Sequence, residues 1–164
     1  MRDIPDVRYA RSGGVAVAYQ VVGEGDRTLV FVPFLSSLAT LWELRQAREF
    51  FEQLSREKRL VLVNPRGMGL SDRPRTLTLE GWMDDIRSVL DEERIERATV
   101  FGVADGANAS LLLAATYPER VERLILHRPF QKAGRVDDAL EWVRQVREHW
   151  GEREFLTGIA RHLN

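Results

Sequence analysis

The pattern most capable of chemistry lies between Thr99 and Asn108. It reads as a buried strand, a tight turn bounded by Gly102 and Gly106, and the start of a helix rich in Ala and Leu. A Gly-x-Ser-x-Gly sequence in such a strand-to-helix turn lifts a serine nucleophile above the sheet. The middle residue here is Ala104, so we predict the turn without its nucleophile.

Two nearby side chains offer weaker chemistry. Asp105 follows the turn, and we interpret it as a helix-start acid favoured by the helix dipole rather than as a catalytic carboxylate. His127 ends a predicted strand, and we interpret it as a polar plug rather than as a base. The three histidines of the chain have no metal-ligand spacing, so neither a metal nor a cofactor is expected.

Alternating strands and helices must position these residues. Three apolar runs predict strands buried in a sheet: 29–33, 60–63 and 99–103. One more strand is predicted over 121–127, and two shorter strands should flank the turn at Gly13 and Gly14. Apolar spacing and capping residues predict three helices: 41–54, 78–90 and 108–117. This alternation implies a mostly parallel sheet of about six strands flanked by helices, with any site at the carboxyl ends of the strands.

The pattern changes after residue 130. A long helix from Asp137 to Trp150 carries an apolar stripe, a short helix is predicted over 154–162, and no strand follows. We therefore divide the chain into an α/β core, 1–130, and a helical segment, 131–164.

Composition narrows the classes of function. The chain has 164 residues and a formal net charge of −1, which argues against a nucleic-acid or anionic-membrane partner. It has no cysteine, which excludes disulfides and thiol chemistry. The charged amino terminus is unlike a signal peptide, and the sequence has no apolar run long enough for a membrane span. A cytoplasmic location is the default expectation.

Five motifs point to a known family: 18–23, 29–33, the Arg-Gly-Met-Gly-Leu-Ser-Asp run at 66–72, 83–87, and 114–121 with Tyr-Pro-Glu-Arg-Val. With the order of elements, they resemble the α/β-hydrolase superfamily, and most of all the hydrolase-like domains beside bacterial adenylate-cyclase catalytic domains. The likeness covers residues 7–128 and, more loosely, cap-like helices to 162. It implies a partial α/β-hydrolase fold and, for an active member, hydrolysis of esters or amides.

Departures from the family pattern fall at the strand ends. Ala104 replaces the nucleophile, Phe34 replaces a glycine of the oxyanion loop, and Asn64 replaces an aspartate. His127 and Arg128 stand where a small residue is usual. The family's acid and histidine come later along the chain, after strands that follow the cap, and we expect residues 1–164 to lack them.

The resemblance and its departures together predict a catalytically incompetent domain with a binding, regulatory or scaffold role. The vestigial oxyanion positions are Phe34 and the backbone of Asp105. We predict a small pocket suited to a polar or anionic small molecule, with this lining: Phe34, Asn64, Ala104, Asp105, His127 and Arg128. Two alternatives stay open. The chain is the amino-terminal part of an ester or amide hydrolase completed by another chain or by missing sequence, or it is a truncated frame without independent function.

Self-association is also expected. The strand 121–127 should be a sheet edge with an apolar centre, Leu124 to Leu126, and such edges need a cover. The stripe on the helix after Asp137 is also too apolar to leave in water. We predict a homodimer that buries this stripe, with pairing of two strand edges as the other route.

Overall fold

The computed structural model describes residues 4–33 and 37–129, together with Arg144 and Glu148. Six strands, four helices and one short 3-10 helix, Pro118–Arg120, make up the described part. The strands are β1 (Arg8–Ser12), β2 (Val15–Val22), β3 (Thr28–Val32), β4 (Arg59–Val63), β5 (Ala98–Val103) and β6 (Val121–His127). The helices are α1 (Leu38–Leu41), α2 (Arg45–Leu54), α3 (Leu79–Glu92) and α4 (Asp105–Thr116).

The strands form one sheet in the order β1-β2-β4-β3-β5-β6. The first two pairings in this order are antiparallel, and the three that join β4, β3, β5 and β6 are parallel. This confirms the predicted α/β architecture with a mostly parallel sheet. β5 lies between β3 and β6, so the turn after β5 stands beside the carboxyl ends of both neighbours.

Alternation along the strands sends apolar side chains to two faces of the sheet. One face packs on α3 and α4 through a cluster that includes Val30, Val100, Ile86 and Leu113. The opposite face packs on α2 through Phe31 and other residues of a second cluster. Burial on both faces explains why β3 and β4 read as continuous apolar runs.

The prediction of one helix over 41–54 is wrong in one respect. The first helix ends at Leu41, and a second helix begins at Arg45. Trp42 is buried, and its indole N–H donates to Oε1 of Gln20 at 2.8 Å. The carbonyl of Trp42 accepts from the Arg48 guanidinium instead of continuing the helix. A contact with β2 therefore ends the first helix.

The helix after β5 begins three residues earlier than predicted, at Asp105. The carbonyl of Ala104 accepts from the N–H groups of Ala107 at 3.0 Å and Asn108 at 3.3 Å, so the helix starts directly at the turn. The prediction for the helix after Thr78 is confirmed, since the Thr78 hydroxyl accepts from the N–H of Gly81.

The chain divides into two units, Met1–Phe130 and Gln131–Asn164. All six strands belong to the first. Of the second unit, Arg144 and Glu148 are described, and both are helical and exposed. The predicted stripe on the helix after Asp137 and the predicted helix 154–162 otherwise lie outside the described residues. Within the described part, no helix has the length and apolar character needed to cross a membrane.

Candidate functional site

The turn between β5 and α4 has the strained backbone that presents a nucleophile in this class of fold. Ala104 adopts φ 52° and ψ −116°, a region that costs a residue with a Cβ roughly 1–3 kcal/mol. Its N–H donates to the carbonyl oxygen of His127 at 2.9 Å, which fixes the turn to the end of β6. The strained geometry is thus present, and its side chain is a buried methyl group.

The two glycines of the turn are required by close packing. A Cβ at Gly102 would lie 2.5 Å from the Cα of Ala107 and 2.5 Å from the carbonyl oxygen of Gly106. A Cβ at Gly106 would lie 2.4 Å from the carbonyl oxygen of Val32 on β3. All three distances are shorter than real Cβ contacts, so α4 can lie this close to the sheet only with glycine at the two positions. We name residues 102–106 the elbow turn.

Behind the elbow turn lies a hydroxyl that the sequence analysis did not single out. Ser110 is fully buried on α4, and its Oγ donates to the carbonyl oxygen of Gly106 at 2.6 Å. This is a hydrogen bond back to the preceding helical turn, a common state of serine inside helices. The hydroxyl of Ser110 is therefore buried and bonded within α4, so it does not take the place of a nucleophile at position 104.

Asp105 is the first residue of α4 and is half-buried. Burial raises the pKa of its carboxyl, because removal from water disfavours the charged form. The helix amino terminus favours the charged form, so the two effects oppose each other. The location agrees with the prediction of a helix-start acid.

His127 ends β6 next to the elbow turn, and Arg128 follows it. His127 is the register partner of Val103, one residue before Ala104, and its side chain is exposed. Arg128 is also exposed and has a positive φ of 52°, so the chain turns sharply after the strand. Phe34, the other predicted pocket residue near this edge, lies outside the described residues.

Asn64 follows β4 and is fully buried. Its side-chain oxygen accepts from the backbone N–H of Leu38 at 3.1 Å and from that of Leu70 at 3.4 Å. Asn64 therefore ties the segment after β3 to the loop after β4. This role was not visible in the sequence, because the two donors lie in segments that are far apart along the chain.

The loop after β4, residues 64–72, is held by its own motif residues. The Arg66 guanidinium pairs with the fully buried Asp85 of α3 at 2.6 Å, and its Nη2 also donates to the hydroxyl of Ser12 at 2.9 Å. The Ser71 hydroxyl accepts from the N–H of Ala18 at 2.7 Å. We name this loop with Asp85 the β4 clasp.

Two open surface cavities of about 550 and 570 Å³ lie away from the elbow turn. The first lies between the β1–β2 hairpin and α3, and the second lies at the turn after β2. Neither is lined by a residue of the elbow turn. Among residues 4–33, 37–129, 144 and 148, no group of histidine and carboxylate side chains is placed to hold a metal ion.

Comparison with known proteins identifies the class. The family model for the alpha/beta hydrolase fold matches residues 37–163, which is most of the chain. The chain therefore belongs to the α/β-hydrolase family, and the elbow turn is the position at which that family carries its nucleophile.

Individual relatives are hydrolases of about twice the length. The chain is 28% identical over 138 residues to 2-hydroxy-6-oxo-2,4-heptadienoate hydrolase of Pseudomonas putida F1, covering 83% of this chain and 49% of that protein. It is 27% identical over 148 residues to 3-oxoadipate enol-lactonase 2 of Acinetobacter baylyi, covering 89% and 52%. The chain thus spans about half the length of the curated relatives that it matches.

Solved structures show the same fold. A hydrolase from Pseudomonas aeruginosa PA01 matches with a TM-score of 0.75 at 24% identity, over 94% of this chain and 57% of that one. A meta-cleavage product hydrolase from Pseudomonas fluorescens IP01 matches with a TM-score of 0.62 at 28% identity, over 74% and 44%.

Proposed function

We propose that this chain is a non-catalytic α/β-hydrolase module that uses the former nucleophile site for binding. The observation that carries the proposal is Ala104 at the apex of an otherwise complete elbow turn. Acyl transfer in this fold needs an oxygen nucleophile with a base within hydrogen-bond distance. A methyl group cannot attack the carbonyl carbon and has no proton to give to a base. The strained backbone and the two glycines of the turn are present, but the side-chain oxygen that would react is absent.

Changes at other strand ends support loss of the whole mechanism. Asn64 uses its side-chain oxygen to hold two loops, and His127 has an exposed side chain at the edge of the sheet. A single serine-to-alanine replacement would leave these differences from the family pattern, and Phe34, without explanation. The likeness to domains found beside adenylate-cyclase catalytic domains favours a regulatory role for such a module.

We propose a small carboxylate as the ligand class. Two relatives are named for substrates that carry carboxylates, a heptadienoate and an oxoadipate enol-lactone. α4 begins at Asp105 at this edge of the sheet, and the N–H groups of the first turn of a helix favour an anion. Arg128, directly after β6, adds a positive charge. Titration with adipate, followed by amide NMR, should shift the signals of Asp105 and Gly106, and Arg128→Gln should weaken the shifts. Unmoved signals at saturating adipate would contradict this ligand class.

The second candidate is the amino-terminal part of an ester or amide hydrolase whose acid and histidine come from another chain or from further sequence. The observation that favours it is the match to about half of each relative. It differs from the first candidate in one respect that can be measured. Under this candidate, Ala104→Ser should gain activity when mixed with the carboxyl-terminal half of a related hydrolase.

Hydrolysis of short p-nitrophenyl esters tests the two candidates together. We expect no rate above buffer for the natural chain, and little gain for Ala104→Ser alone because base and acid are still lacking. An active full-length relative serves as the positive control. Ester turnover by the natural chain that persists after repurification would contradict the non-catalytic assignment, and activity of the mixed halves would favour the second candidate.

A further inference from the structure

The surface cavity at the turn after β2 lies at the end of the sheet opposite the elbow turn. Arg59, which lines it, is the first residue of β4 and the register partner of Thr28 at the start of β3. The elbow turn follows the last strand residue of β5, and β3, β4 and β5 run parallel, so the two places lie at opposite strand ends. The cavity holds about 570 Å³ and is lined by Arg8, Val21, Gly23, Glu24, Gly25 and Arg59.

Two guanidinium groups of this cavity are held by one largely buried carboxylate. Nη1 of Arg8 donates to Oε1 of Glu93 at 3.0 Å, and Arg59 donates to Oε2 of the same side chain, which is 9% exposed. Burial alone would raise the pKa of Glu93, but hydrogen bonds from Tyr19 and Arg8 and the charge of Arg59 lower it, so Glu93 is ionised at neutral pH. Glu93 does not line the cavity. Both guanidiniums are thus fixed in place, and each keeps further N–H donors for a ligand.

A carboxylate lines the same cavity from the turn after β2. Glu24 follows Gly23, which has φ 74° and packs tightly on the segment before β4: a Cβ there would lie 2.3 Å from the carbonyl oxygen of Ser55 and 2.7 Å from that of Lys58. This packing fixes the backbone beside Glu24 relative to Arg59. Within the described part of the chain, the Glu24 carboxylate has no hydrogen-bond or ion-pair partner. Opposite charges therefore line one cavity without reaching each other.

We propose that this cavity binds a small zwitterion of the α-amino-acid class. The guanidiniums of Arg8 and Arg59 receive its carboxylate, since arginine binds carboxylates through paired N–H donors. Glu24 receives its ammonium group, and Val21 gives an apolar wall to a small side chain. The two guanidiniums are balanced by Glu93 and Glu24, so the cavity favours a ligand without net charge over a simple anion.

Three probes of similar size test which charges the cavity selects. L-alanine carries both charges, propionate lacks the ammonium group, and ethylammonium lacks the carboxylate. In amide NMR titrations to ~100 mM, which detect millimolar dissociation constants, L-alanine should shift the signals of Gly23 and Gly25. Propionate and ethylammonium should bind at least ~10-fold more weakly, because each leaves one charged wall of the cavity unpaired.

Substitution of Glu24 separates a zwitterion site from an anion site. Glu24→Gln should weaken the binding of L-alanine by at least ~10-fold and strengthen that of propionate, because the repulsion between two carboxylates is removed. Glu57→Gln is the matched control, since Glu57 is exposed beside this turn and does not line the cavity. It should leave both affinities unchanged, and thermal unfolding verifies the fold of both variants.

Three results would each overturn the proposal. The first is that L-alanine leaves the signals of Gly23 and Gly25 in place. The second is that propionate or ethylammonium binds as tightly as L-alanine. The third is that Glu24→Gln keeps the affinity of the natural chain for L-alanine, which would mean that the Glu24 carboxylate is only solvated.

Discussion

The β4 clasp and the elbow turn are both built from motifs of the α/β-hydrolase family, but they differ in whether their polar side chains are present. In the clasp, the polar side chains are in use: Arg66 pairs with Asp85, Ser71 binds β2, and Asn64 joins two loops. In the elbow turn, the strained backbone and both glycines remain, and the residue that would do chemistry is alanine.

The difference separates what folding requires from what catalysis requires. Removing a clasp side chain leaves a buried charge or backbone group without a partner, which destabilises the fold. Alanine at position 104 has no polar side-chain atom that could be left unpaired. The strain at this position lies in the backbone. The elbow turn therefore forms without a serine at this position.

The largest effect is expected in the clasp. Asp85→Asn should lower the free energy of unfolding by about 3 kcal/mol, because the Arg66 guanidinium keeps its charge in a largely buried position. The neighbouring Asp84→Asn is the control: its pair with Arg87 is exposed, and its loss should cost less than about 1 kcal/mol. Urea denaturation measures both. If both variants lost the same free energy of unfolding, the buried pair in the clasp would contribute no more than the exposed pair.

The glycine frame of the elbow turn should come next. Gly102→Ala should cost about 2–3 kcal/mol, because its Cβ would meet the Cα of Ala107 at 2.5 Å and α4 would have to move. Gly13→Ala is the control for backbone strain alone, since Gly13 has φ 57° with open space around it, and about 1 kcal/mol is expected there. If Gly102→Ala unfolds at the same urea concentration as the natural chain, the close approach of α4 to the sheet is wrong.

Relief of strain at the apex should give a smaller effect of opposite sign. Ala104→Gly should stabilise the fold by about 1 kcal/mol, because glycine adopts φ 52° and ψ −116° without steric cost. Ala107→Gly, inside α4, should destabilise by about 1 kcal/mol. Loss of stability in Ala104→Gly would mean that the apex is not strained.

The smallest expected effect depends on pH. Burial raises the pKa of Asp105 in the folded state, so its ionisation becomes unfavourable to folding as the pH rises through that pKa. Asp105→Asn should therefore raise the melting temperature slightly at pH 7. The gain should vanish as the pH falls below the unfolded-state value of about 3.9. A gain that is the same at pH 7 and at pH 3 would exclude this cause.

The sequence was sufficient for most of the frame. The apolar runs of β3 and β4 and the glycines around Ala104 predicted the strands and the turn, because burial on both faces and close packing leave direct marks on residue type. The break at Trp42 was missed because it depends on a hydrogen bond to Gln20, 22 positions away. The role of Asn64 was hidden for the same reason.

We propose that the elbow turn keeps the backbone frame of a hydrolase without its nucleophile. Intact mass spectrometry after treatment with a fluorophosphonate probe tests this proposal most directly. We expect the natural chain to keep its unmodified mass under conditions that fully label an active α/β-hydrolase. A stoichiometric adduct on the folded natural chain, lost on denaturation before treatment, would contradict it.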